Sequence, residues 1–68
     1  MHKDWIKIMS ISNQFKAEII KGMLEENNIK VVLINKKDSA YGFGEVEIYV
    51  NEGHVLKALN LIKTNEIE

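Results

Sequence analysis

Cysteine is absent from this 68-residue chain, so neither a disulfide nor a thiolate metal site can supplement its core. That absence matters at this length, because a chain of about 60 residues buries only about 60% of the surface its unfolded form exposes. Tight helix packing and self-association are the remaining aids, which makes a homo-oligomer, in the first instance a dimer, the expected state.

Net positive charge is lacking as well. Nine Lys and Arg residues against ten Asp and Glu give a formal charge of −1, without the field that binding to a phosphate backbone requires, so no nucleic-acid partner is expected. No apolar run approaches the roughly 20 residues needed to span a bilayer, and the start, Met1-His2-Lys3-Asp4-Trp5, leads straight into an amphipathic strand. The expectation is a soluble, cytoplasmic protein with no membrane partner. One domain over residues 1–68, with its core in 5–62, accounts for the chain.

Catalytic and metal-binding constellations are missing too. His2 and His54 are the only side chains that titrate near neutrality, and neither has a triad or a ligand set around it in the sequence. Glu25-Glu26 and Glu45/Glu47 read as solvated faces. With no nucleophile, base and orienter together, neither an enzyme nor a cofactor is expected, and no metal.

What is present is a change of hydrophobic period along the chain. Residues 5–10 alternate, with Ile6 and Ile8 on one side and Trp5, Lys7 and Met9 on the other, as a strand does. From Phe15 to Glu26 the apolar residues Phe15, Ile19, Ile20, Met23 and Leu24 recur at spacings of three and four, which predicts a helix. Ser12 or Asn13 is its expected N-cap, and Asn27-Asn28 its stop. Residues 29–34 are β-branched and apolar on both faces, a second strand. A ten-residue connection, Asn35 to Gly44, leads to residues 45–50, where Val46, Ile48 and Val50 alternate with Glu45, Glu47 and Tyr49. A last helix, capped by Asn51 and running to about Lys63, carries the stripe Val55, Ala58, Leu59 and Ile62.

Two strands joined through a helix are normally parallel, and the following loop lets the third run antiparallel between them. The expected fold is α+β, a ferredoxin-like βαββα arrangement with a three-stranded antiparallel or mixed sheet in the order 1-3-2 and both helices on one face. The other face then gathers Trp5, Met9, Val32, Ile34 and Tyr49 beside Lys7, Glu45 and Glu47, and no further element of the chain is left to cover it. Such a patch marks an interaction surface. The free edge of the first strand offers a second route, by strand addition.

The long connection carries the alternative reading. Asn35-Lys36-Lys37-Asp38 after an apolar strand matches the N-K-x-D signature that reads guanine in GTP-binding proteins, but no G-x-x-x-x-G-K-[ST] phosphate loop accompanies it. Gly42-Phe43-Gly44 opens no helix and is no dinucleotide fingerprint. What remains is a loop whose Asn35, Lys36, Lys37, Asp38, Ser39, Tyr41 and Phe43 have the chemistry to hold an anionic metabolite or a nucleotide-like ring.

Phe15 to Ile29 (FKAEIIKGMLEENNI), an apolar strand, a polar loop, Gly44-Glu45-Val46-Glu47-Ile48-Tyr49-Val50 and a helix with Ala58-Leu59 together resemble the small putative prokaryotic signal-transducing protein family over residues 5–62. The resemblance implies the same βαββα architecture and little more, and brings no catalytic residue with it. Asn28 stands where glycine is common in that family, and Asn51-Glu52-Gly53-His54 where an acidic or proline-containing turn is usual. Two functions follow as expectations: a non-enzymatic interaction module working through the uncovered face or the strand edge, and a small-ligand sensor using the 35–44 loop.

Overall fold

The computed structural model describes residues 4–36 and 44–65. Strand β1 (Trp5–Ile11) is followed by helix α1 (Gln14–Glu26), strands β2 (Val31–Asn35) and β3 (Val46–Asn51), a 3₁₀ turn at Glu52–His54 and helix α2 (Val55–Thr64). The sheet order is β1-β3-β2, with β3 antiparallel to both neighbours, so the expected βαββα fold is the observed one.

Local chemistry explains where α1 begins and ends. Asn13 sits in extended backbone and its Oδ1 accepts from the Lys16 amide at 3.1 Å, satisfying one of the first-turn donors that have no intrahelical partner. At the other end the Asn28 amide donates to the Glu25 carbonyl at 3.0 Å and the Ile29 amide to the Leu24 carbonyl at 3.1 Å. This is a Schellman closure. It requires a left-handed residue, and Asn28 takes that role at φ 64°. Ile29, just beyond it, is buried and joins Leu24 in the core. Asn28 thus does the work of the glycine usual in the resembling family.

The core lies between the helices and one sheet face: Ala17, Ile20, Leu24, Ile29, Val31, Val46, Ile48, Val50 and Ala58 are buried. Fully burying a side chain such as Leu24 or Ile48 contributes roughly 1.5–3 kcal/mol. The α1 stripe is rotated from the expected one. It centres on Ala17, Ile20 and Leu24, while Phe15 is 74% exposed and Ile19 faces largely outward. In α2, Ala58 is buried and Leu61 packs on the core, whereas Leu59 is exposed. Both helices thus place a fully buried alanine, Ala17 and Ala58, against the core.

Strand β1 departs from simple alternation. Its register to β3 pairs Ile6 with Val50 and Lys7 with Tyr49, then Met9 with Ile48 and Ile11 with Val46, so a bulge takes up Ile8. One extra residue shifts the phase by one, and every later side chain changes face. Met9, expected on the uncovered face, therefore lies partly buried against the core with Ile8 and Ile11.

Candidate functional site

Residues opposite one another across antiparallel strands share a face. Since Val46, Ile48 and Val50 point into the core, the other face carries Glu47, Tyr49 and Asn51 from β3, Val32 and Ile34 from β2, and Trp5, Lys7 and Ser10 from β1. Val32 pairs with Tyr49 and Ile34 with Glu47, which places two aliphatic side chains along one flank of the central strand. Trp5, Val32, Ile34 and Tyr49 line an apolar depression of about 220 Å³. Val32 and Ile34 are each 38% exposed, a high value for β-branched residues on a sheet, and no described element crosses this face.

Four of the five residues expected on the interaction face are thus assembled there: Trp5, Val32, Ile34 and Tyr49. The bulge removes Met9.

The polar half of the face is internally tied. The Tyr49 hydroxyl donates to Glu47 Oε1 at 2.9 Å, and Lys7 Nζ lies 3.5 Å from Glu47 Oε2. The Tyr49 hydrogen bond above all, then the nearby charges of Lys7 and Lys36, hold the Glu47 carboxyl below the usual carboxylate range despite partial desolvation. The same hydrogen bond, reinforced by burial and the Glu47 charge, raises the Tyr49 phenol above its ordinary value. Ser10 Oγ donates to Glu45 Oε1 at 2.5 Å. The Ser10–Glu45 contact follows from the bulge and was not expected from the alternation.

The expected ligand loop is reached only at its ends. The Lys36 amide extends the ladder by donating to the Glu45 carbonyl at 2.9 Å, and Asn35 Nδ2 donates to Gln14 Oε1 at 3.1 Å, tying β2 to the start of α1. Gly44, at φ 111°, re-enters the sheet in backbone that favours glycine. Lys37, Asp38, Ser39, Tyr41 and Phe43 lie outside the described residues, as does His2. His54 is exposed at the end of the 3₁₀ turn.

A second depression, of about 380 Å³, lies between α1 and β2, lined by Glu18, Lys21, Gly22, Glu25 and Leu33. Its Lys21 is paired with Glu25 at 3.1 Å. Among the described residues no group of three or more His, Cys, Asp or Glu is placed to hold a metal ion, and no helix is long and apolar enough to cross a membrane.

Residues 5–66 match the model of the family described as putative prokaryotic signal transducing protein. The chain belongs to that family. Among the described residues, the match takes in both helices, the three strands and Trp5, Val32, Ile34 and Tyr49 of the apolar depression. No curated protein and no solved structure matches the chain. The βαββα order and the 1-3-2 sheet agree with the architecture that the resemblance implied.

Proposed function

We propose that the chain is a non-enzymatic regulatory module that works by protein association through its open sheet face. The supporting observation is the apolar depression formed by Trp5, Val32, Ile34 and Tyr49 on a face that neither helix covers. Solvent-exposed apolar clusters of this kind are costly to leave bare, and a covering partner removes that cost. Membership of a signal-transducing family is consistent with a binding role, because signalling modules act by forming and releasing contacts.

The rim is suited to being covered. Glu47 is satisfied by Tyr49 and Lys7 within the chain, so a partner seated on the depression strands no unpaired carboxylate. A photo-cross-linking amino acid placed at position 34 of the full chain, expressed in cells of its own organism, tests this reading. Protein adducts from position 34 and none from position 18, an exposed position of α1 on the helical side of the sheet, are the expected outcome. Adducts from neither position, or equally from both, overturn it.

A further inference from the structure

We infer that the partner on the open face is a second copy of the chain, the two sheets packing face to face about a two-fold axis. This inference rests on the association reading above and names its occupant.

Charge is the first argument. Among the described residues of the paired ladder, the face carries Lys7 and Lys36 against Glu45 and Glu47, two charges of each sign, and the whole chain is close to neutral at −1. A balanced face can meet its own image with Lys opposite Glu and without net repulsion, as an isologous contact requires. It selects neither a strongly basic nor a strongly acidic partner.

Geometry is the second. The free edge of β1 is the competing route to a second copy, but the bulge at Ile8 breaks its pairing surface halfway along. Bulges are a standard device against edge-to-edge pairing, and a two-fold β1–β1 ladder would have to cross the bulge on both chains. Among the described residues the open face has no such obstacle. Trp5 at its corner and Tyr49 at its centre line the depression and supply aromatic surface for the contact, at the roughly 10 Å spacing of packed sheets.

Size sets the strength. Strands at about 4.8 Å spacing and about 3.3 Å rise per residue give a face of roughly 14 by 20 Å, about 300 Å² in projection. Even with side-chain relief this stays below the about 800 Å² per partner of a standard interface. A dimer held by so small a face is a weak one, and its population responds to concentration.

Sedimentation equilibrium of the purified full chain, from about 5 μM to about 500 μM, is the test. The expected result is a shift from the 7.8 kDa monomer to twice that mass. Ile34→Glu, checked for folding by circular dichroism, should raise the dissociation constant at least about tenfold by burying an unpaired charge. Leu56→Glu, on the exposed side of α2, should leave it unchanged. Trp5 emission gives an independent readout in the unmodified chain and should shift to the red on dilution. A chain that stays monomeric at about 500 μM overturns the second copy. If position 34 still cross-links to other proteins in cells, the wider association reading survives that failure; if it does not, both fall. A dimer broken by Leu56→Glu and not by Ile34→Glu also overturns the inference, by moving the contact to the helical side.

Discussion

The Tyr49 hydroxyl donates a 2.9 Å hydrogen bond to the Glu47 carboxylate two positions earlier on the same strand and the same face. It joins the apolar and polar halves of the open face, and its effect is readable in acid. The Glu47 pKa is lowered by folding, so its stabilising contribution is present above the ordinary carboxylate value of 4.5 and is lost as pH falls through the lowered one. Urea unfolding from about pH 7 down to about pH 3 should show a shallower acid loss in Glu47→Gln than in the unmodified chain. Identical slopes would contradict the assignment. At the alkaline end the sign is opposite. The raised Tyr49 phenol favours the folded state below 10 and withdraws that support as pH rises through its folded value, an effect that Tyr49→Phe should abolish.

Asn28 closes α1 in a left-handed conformation that costs most side chains about 1–2 kcal/mol. Asparagine tolerates it better than other non-glycine residues. Asn28→Ala should therefore destabilise by about 1 kcal/mol, whereas Asn28→Gly should be within about 0.5 kcal/mol of neutral, strain relief being offset by greater freedom in the unfolded chain. Denaturant midpoints at constant m-value decide it, and equal losses for both variants would remove the left-handed position as the cause.

Asn13 makes the corresponding contact at the other end of the helix. Replacing it by Ala removes the acceptor of the Lys16 amide and should cost about 1 kcal/mol. Asn13→Ser should recover most of that loss, because a hydroxyl can accept the same bond. Failure of the serine variant to recover stability would mean that Asn13 acts otherwise than as a cap.

Leu24 and Leu56 are the same residue type in opposite circumstances. Leu24 is fully buried and packs among α1, β2 and β3 residues, while Leu56 is 84% exposed. Leu24→Ala should cost about 2–5 kcal/mol, enough to unfold much of a domain this small, and Leu56→Ala should stay within about 0.5 kcal/mol. Thermal unfolding of the two variants side by side measures the difference.

The element order was legible because the hydrophobic period changes sharply between Ser10 and Phe15 and again around Asn51. The asparagine stops at 27–28 were legible for the same kind of local reason. What escaped was phase. The β1 sequence reads Ile6-Lys7-Ile8 and then Met9-Ser10-Ile11, two alternating triplets abutting at an apolar doublet. That doublet is the sequence trace of the bulge, and continuing one alternation through it misplaces Met9. The helix stripes slipped for a different reason. Ala17 and Ala58 add little to a hydrophobic pattern, yet both are fully buried, so a pattern weighted towards large side chains favours Phe15 and Leu59. The open face survived both errors because it rests mainly on β2 and β3, whose pairing register is uninterrupted.

The chain has no native cysteine, so a single introduced thiol reports on its own surroundings alone. The most direct measurement of association through the open face is the maleimide labelling rate of Ile34→Cys in intact cells, compared with the dilute purified protein and with Glu18→Cys as control. Cover of the open face predicts that labelling at position 34 slows at least about tenfold in the cell while position 18 reacts alike in both settings. Equal rates at position 34 in the cell and in dilute solution would contradict it.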